Sequence, residues 1–354
     1  MGILGQTALG IDIGTHSIKV VKVARRGKKA SLLGFAIEEI EFPEDYNPAR
    51  SETIASGVEA GTEMEGRENA LAAALSRSMS SLSHKGCHIR GALSGPGVLI
   101  KQIPFPDLGD RQIEAALKYE ARKFVPWSVE EMVVDFQVLS EDHQAGTCEL
   151  LLVAARVQQK ETLLRLLETG CNISPVVLDV EPLAIVNALF ASKREPVEGL
   201  QLIVDVGHSY TTLCFYKPGA PFFSRHLSNS GMDFSAQIMR QAGVDYLRAE
   251  EMKKGKTDVA VSLDVYRPVF NDLLQEIRRS LIYYGNQTAV SADKTKVHVC
   301  GGGARLVPMV DYFREGLDLS VEILDPLSGL QSSASDETDG IGPQMAMAVG
   351  LAWR

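Results

Sequence analysis

Leu9, Ile11 and Ile13 alternate with Gly10 and Asp12, the two-residue period of a β-strand. Gly14-Thr15-His16-Ser17 interrupts the alternation, and Val20, Val21 and Val23 resume it with Lys19 and Lys22 interleaved. The pattern predicts a hairpin. A turn of small residues presents backbone N–H groups and hydroxyls, which is how a loop holds phosphate. Alone it is weak, because most Asp-x-Gly hairpins are only turns.

The same pattern returns in LIVDVGHSYTTLCFY, Leu202 to Tyr216. Asp205 stands for Asp12, Gly207 for Gly14, and Leu213 to Tyr216 supply the returning strand. The offset of 193 residues is slightly more than half the chain, so the repeat predicts two similar lobes, each opened by an Asp-x-Gly hairpin. Two such turns facing across a cleft would grip a nucleoside triphosphate, each offering one carboxylate towards Mg²⁺.

A third segment, Lys296 to Val310, reads as a strand running into Gly301-Gly302-Gly303 and then a helix. Glycines at such a junction let backbone approach a ligand, and a helix N-terminus favours anions. The alternative is a tight strand–helix turn. The spacing is not that of a dinucleotide-binding loop. The Gly255-Lys256-Thr257 triplet fails as a P-loop because Glu250 occupies the first glycine position.

Between the hairpins, Arg90 to Pro106 reads as strand and turn. Asp110 to Trp127 reads as a helix with Ile113, Leu117, Ala121 and Phe124 on one stripe, stopping at Pro126. Two strands follow, Glu131 to Leu139 and Cys148 to Arg156, then a helix over Val157 to Gly170 that ends on its glycine. The polar stretch Ser328 to Gly340 reads as a loop.

Composition narrows the partners. The 354 residues exceed one small core, and 45% hydrophobic with 23% charged residues is ordinary globular usage. A net charge of −9 disfavours nucleic acid, and Arg25-Arg26-Gly27-Lys28-Lys29 reads as a solvated hairpin tip. No uncharged apolar run reaches membrane-spanning length, and the N-terminus shows neither a secretory pattern nor, with Gln6 in place of Ser or Thr, a myristoylation pattern. The five scattered cysteines fit reduced thiols in a cytosolic protein, and His84 and His88 lack a third metal ligand nearby.

The three glycine-bearing segments resemble the phosphate-1, phosphate-2 and adenosine motifs of the actin/Hsp70/sugar-kinase superfamily. Leu178 to Phe190 resembles its first connecting helix and Gly342 to Arg354 its second, all in the right order. The β-α-β-β-α segment resembles the inserted 1C subdomain of the FtsA-like branch. Within that branch, IKQIPFPDLGDRQIEAALKYEARKFVPWSVEEMVVDFQVL, the connecting helices and VCGGGARLVPM resemble the PilM family of type IV pilus assembly, from Leu9 to Arg354. FtsA itself would be expected to carry a C-terminal amphipathic membrane-targeting helix after a linker, whereas this sequence ends after the second connecting segment. A small-molecule kinase would be expected to carry a larger inserted substrate domain with an acid base, and neither is found.

The resemblance implies an α/β, actin-like/Hsp70-type ATPase fold of two RNase-H-like lobes with an FtsA-type inserted 1C subdomain. Lobe I would comprise 1–89, 171–198 and 326–354, the 1C-like unit 90–170, and lobe II 199–325. It implies ATP and Mg²⁺ as ligands. Asp12 and Asp205 would hold the metal through water, or else cap their turns. Gly14, Thr15 and Ser17 would lie along the phosphates opposite Gly207, His208 and Ser209. Lys19 would reach the β- or γ-phosphate, or face solvent as a strand lysine. His208 departs from the small residues of the family, and either donates to phosphate or points outwards. Gly302 and Gly303 would border adenine and ribose. Ala249 to Lys253 resembles a nucleoside-contacting helix, with Glu250 near ribose and Lys253 near adenine, or an ordinary exposed charge pair. Glu181 would orient an attacking water, or only favour its helix N-terminus before Pro182.

The implied role is a cytoplasmic, ATP-binding scaffold held peripherally at the inner membrane through partners. Its partner would be the cytoplasmic N-terminal tail of PilN, docked against the 1C unit, with other pilus inner-membrane platform proteins around it. An ATP-turnover-driven filament, and hence self-association, stays open as the alternative, as does weak ATPase activity.

Overall fold

The computed structural model describes residues 6–27, 29–41, 61–175, 177–193, 196–288, 290–331 and 338–354. The first five residues of the N-terminal reading, Lys28 of the basic tip, and residues 332–337 of the polar stretch lie outside the described residues.

The alternation at the N-terminus becomes β1 (Gln6–Ile13), which pairs antiparallel with β2 (Ser17–Arg26), and that strand with β3 (Lys29–Glu39). On the other side β1 pairs parallel with β4 (His88–Leu93), and β4 with β8 (Val177–Val180), giving the order β3-β2-β1-β4-β8. The second lobe repeats this design. Strands β9 (Gln201–Val206), β10 (Thr211–Tyr216), β11 (Phe223–Leu227), β12 (Lys296–Cys300) and β13 (Ser320–Ile323) take the order β11-β10-β9-β12-β13. Hairpin, parallel neighbour and outer parallel strand thus occupy equivalent places in both sheets.

A third sheet of three strands is inserted between β4 and β8. It has the order β5-β7-β6, from β5 (Val98–Pro106), β6 (Met132–Asp142) and β7 (Thr147–Arg156). Helices α2 (Asp110–Glu120) and α3 (Val157–Cys171) complete the expected β-α-β-β-α order. Residue 90, where this unit was expected to begin, falls inside β4, whose backbone is paired on both edges within the first sheet. One face of the small sheet forms its own core of Ile103, Phe105, Ile113, Leu117 and Leu150. Val98, Ile100, Leu151 and Ala155 instead join the core of the first lobe with Leu9, Ile11 and, from α1 (Gly61–Ser80), Leu75.

Two helix ends differ from the sequence reading. Helix α2 stops at Glu120 and passes into a 3-10 turn over Ala121–Lys123, so Phe124 and Pro126 lie beyond it. Helix α3 is capped by Asn172 in the left-handed conformation, at φ 53°, rather than by Gly170. Gly170 serves packing: a Cβ there would sit 3.1 Å from Leu75 Cδ2 and 3.2 Å from the Ala72 carbonyl of α1.

The lobes are joined by α4 (Glu181–Ser192) and α9 (Ala346–Trp353). Both are apolar nearly all round, as helices buried between two layers must be. They cross closely because Gly350 carries no side chain; a Cβ there would meet the Ala184 carbonyl at 1.8 Å. Gly10 lets β1 approach α9 in the same way, with Ala348 O at 2.1 Å from a built Cβ. On the far side Ile185, Val186 and Leu189 pack with Ile203, Cys214 and Cys300 of the second sheet. Movement of one lobe against the other would bend or shift this helix pair.

Candidate functional site

The two hairpins have the same local geometry for the same reason. Gly14 N–H donates to Ser17 O at 3.2 Å, and Gly207 N–H donates to Tyr210 O at 3.1 Å. A Cβ at either glycine would approach the accepting carbonyl within 2.8 Å, at Gly14, or 2.7 Å, at Gly207. These glycines keep the turns tight and leave backbone exposed where side chains would otherwise stand.

The register then sets the chemistry. Asp12 lies opposite Lys19, and Asp205 opposite Thr212. Lys19 Nζ donates to Asp12 Oδ2 at 3.1 Å, so the first carboxylate has its own cation. The second hairpin puts a hydroxyl where the first has that cation. Burial, then the charges of Glu181 and Asp12, push the Asp205 carboxyl up to about 7. Glu181 and Asp12 thus lie near enough to raise Asp205, and among the charges acting on it Lys19 is the one cation. This is an environment short of positive charge, and it suits a hydrated divalent cation. Among the described residues no three His, Cys, Asp or Glu side chains close tightly enough to ligate a bare ion.

Glu181 sits at the first turn of α4, 3% exposed, just after β8 and before Pro182. Its Oε2 accepts from Gly95 N–H and from Tyr210 O–H, each at 2.9 Å, and its Oε1 accepts from Thr212 O–H. The carboxylate ties the loop after β4 to the second hairpin. Burial and the Glu181 charge raise the Tyr210 phenol well above its ordinary value, so it remains a donor. Gly95, Tyr210 and Thr212 escaped the sequence reading, since nothing in their local pattern marks a partner on another element.

Where the lobes meet, the hairpins touch. Ser209 Oγ donates to Thr15 Oγ1 at 2.8 Å, and the rings of His16 and His208 stack with centroids 4.8 Å apart. The backbone of the second hairpin is held by α5 (Gly231–Ala242): Gly231 N–H donates to Gly207 O at 2.8 Å and Met232 N–H to His208 O at 2.9 Å. His208 therefore faces inward.

Glu250 and Lys253 belong to α6 (Tyr246–Lys253); Glu250 is buried and Lys253 mostly covered, so they are not a solvated pair. Lys253 Nζ donates to Glu250 Oε1 at 2.6 Å, Ser235 Oγ at 2.7 Å and Gly231 O at 2.9 Å. Ser235 also donates to Glu250. Burial alone would raise the Glu250 carboxyl; Lys253 and the hydroxyl of Ser235 outweigh it and bring it down to about 2. Burial lowers the Lys253 ammonium, against the pull of Glu250.

The triple glycine divides its tasks. Gly301 has φ +82°, and a Cβ there would strike Asp205 Oδ1 at 2.2 Å; a Cβ at Gly303 would strike Val206 Cγ1 at 2.3 Å. Only Gly302 opens onto free space. The expected helix does not start here: Gly302–Arg305 is a 3-10 turn, and α8 (Met309–Leu317) begins later. The helix terminus read into this junction does not lie there, because the 3-10 turn and Leu306 to Pro308 intervene.

The family described as "Type IV pilus assembly protein PilM" matches residues 10–354. The chain belongs to this family. Among solved structures it is similar to a PilM-PilN type IV pilus biogenesis complex, at 28% identity and a TM-score of 0.79, covering 98% of this chain and 97% of that one. Two more distant neighbours share the fold alone. They are the ethanolamine utilization protein EutJ from Carboxydothermus hydrogenoformans, at 14% identity, TM-score 0.54 and 100% and 91% coverage of this chain and that one, and a glycerol dehydratase reactivase, at 11%, 0.53 and 98% and 99%. The fold is that of the actin-like ATPases, and the chain is a PilM-type protein of type IV pilus assembly. No helix among the described residues is long and apolar enough to cross a membrane.

Proposed function

We propose that this PilM-family protein is a nucleotide-bound scaffold of the pilus inner-membrane platform, holding ATP and Mg²⁺ in the interlobe cleft and docking the cytoplasmic tail of PilN. The observation that carries the scaffold reading is the full-length likeness to a PilM-PilN complex. The cleft supports the nucleotide reading by its donor set. Gly14, Thr15 and Ser17 on one side, and Gly207, His208 and Ser209 on the other, would cradle the phosphates. Asp12 and Asp205 would address the metal through its waters, Lys19 would approach the terminal phosphates, and Gly302 would leave room for the nucleoside. When bound, Mg²⁺ would neutralise phosphate and carboxylate charge together.

The Glu250–Lys253 pair holds α6 against α5; with the three Lys253 protons engaged by Glu250, Ser235 and Gly231, the free edge of Glu250 would address the nucleoside. Glu181 positions Tyr210, Thr212 and Gly95, and with three donors on its oxygens it is better suited to fixing the hairpin than to accepting a proton. Membership in the platform would place the protein peripherally at the cytoplasmic face of the inner membrane.

A single-turnover experiment tests the reading, with protein in excess over labelled ATP and Mg²⁺, followed by capture with a PilN tail peptide. Retained, intact ATP and a bound tail are the expected results. Rapid phosphate release would replace the scaffold with a turnover-driven switch; no tail binding with either ATP or ADP would remove the partner.

A further inference from the structure

In the first turn, Gly14 to Ser17, His16 is the residue to which the cleft reading gives no task, and its surroundings are unusual. Lys254 Nζ, three ammonium protons and no lone pair, lies 3.1 Å from His16 Nε2, so that nitrogen accepts. The ring hydrogen then resides on Nδ1, which is buried and has no hydrogen-bond partner among the described residues. A buried donor without an acceptor is costly. Such an atom suits an anionic oxygen that arrives with a ligand.

The ring is also what joins the hairpins. It stacks on His208, whose Nε2 lies 3.3 Å from Tyr246 Oη, beside the Thr15–Ser209 hydrogen bond. Lys254 in turn contacts both carboxylate oxygens of Glu39 at 2.9 Å, tying the end of α6 to β3 of the first lobe. Phosphates seated between the turns must separate these two rings.

We propose that His16 and His208 form an imidazole latch between the two phosphate hairpins, which a nucleotide parts and which then donates to its phosphate oxygens with uptake of protons. The inference rests on the nucleotide reading of the cleft. The groups facing His16 are Lys254, Glu250, Glu39, Lys253 and His208; those facing His208 are His16, Lys253, Glu250, Lys254 and Tyr246. In the latched state burial, then Lys254, lowers His16 to about 4, and burial, then His16, lowers His208 to about 3. Both rings are therefore neutral when stacked. Once apart and beside phosphate they regain at least an ordinary imidazole value near 6.5. A lowered imidazole favours the latched state above that value and loses the advantage as pH falls, so acid opens the latch and tightens nucleotide binding.

The test is stopped-flow and equilibrium binding of a fluorescent ATP analogue with Mg²⁺ to the full chain at pH 6 and pH 8, on wild type, His16→Phe and His16→Ala. His16→Phe keeps an aromatic ring but no titrating proton, and it corrects for the titration of the ligand itself. Wild type should gain affinity about fourfold more than His16→Phe between pH 8 and pH 6, the factor for one imidazole freed to its ordinary value. His16→Ala should bind faster at pH 8, because half of the latch is gone. Thermal melting confirms that each variant is folded. Identical pH profiles for wild type and His16→Phe would overturn the latch while leaving the cleft reading intact. Absence of nucleotide binding by wild type at both pH values would overturn both.

Discussion

Asp205 shows what a single residue costs a fold and what it prepares. Its carboxyl rises from 3.8 to about 7 because burial and the charges of Glu181 and Asp12 outweigh Lys19, which pairs directly with Asp12 instead. The sign follows directly. An acid whose folded value lies above its unfolded one is protonated preferentially in the native state, so it weakens the ligand-free fold as pH rises from about 4 through 7. Asp205→Asn removes the buried charge and keeps the shape. In the absence of nucleotide and metal, melting at pH 8 should rise for this variant by the equivalent of about 1–2 kcal/mol. The gain should vanish near pH 4, and Mg²⁺-dependent nucleotide retention should be lost. Equal melting temperatures at pH 8 would mean that Asp205 carries no such strain.

At the scale of elements, the contact between α4 and α9 is the tightest made by any glycine among the described residues. Gly350→Ala would drive a methyl to 1.8 Å from the Ala184 carbonyl, and backbone there cannot yield without separating the helices. Denaturant unfolding should show a loss of about 3 kcal/mol or more. Gly302→Ala, which meets nothing within 4 Å, should leave stability unchanged within about 0.5 kcal/mol and act only on the nucleotide. If both variants unfold alike, the triple glycine is structural throughout.

These elements also show how far the sequence could be read. The hairpins were legible because alternation and an Asp-x-Gly break are local signals, and the interval of 193 residues exposed the repeat of whole sheets. The ends of α2 and α3 were not, since Gly170 and Asn172 both offer a helix stop and packing against α1 decides between them. The knot at Glu181 was harder still. Its donors Gly95, Tyr210 and Thr212 come from two elements 86, 29 and 31 residues away, and no periodicity links them. The stack of His16 on His208 was equally invisible, because it exists only when two lobes close on each other.

For the whole molecule the question is how a nucleotide between the lobes and a tail on the inserted unit, if each binds as proposed, would sense each other. The small sheet answers with its two faces. One closes over α2 as a separate core; the other contributes Ile100, Leu151 and Ala155 to the core that also contains Leu9 and Ile11 of β1, the strand that presents Asp12. A ligand that stiffens the sheet therefore presses on the same packed residues that support the first hairpin, and close-packed interiors transmit such changes poorly in continuous steps but well between discrete arrangements. Linkage requires the effect to be mutual: if ATP changes tail affinity, the tail changes ATP affinity by the same factor. Hydrogen exchange on the full chain can read both ends. A PilN tail peptide should slow exchange in β5 to β7, MgATP should slow it in the two hairpins and α6, and each ligand should extend weaker protection into β1. If the tail binds yet leaves residues 98–156 unchanged, it docks elsewhere. If both regions are protected but β1 responds only to nucleotide, the shared core does not couple them, and the inserted unit is a passive handle on a nucleotide-bound body.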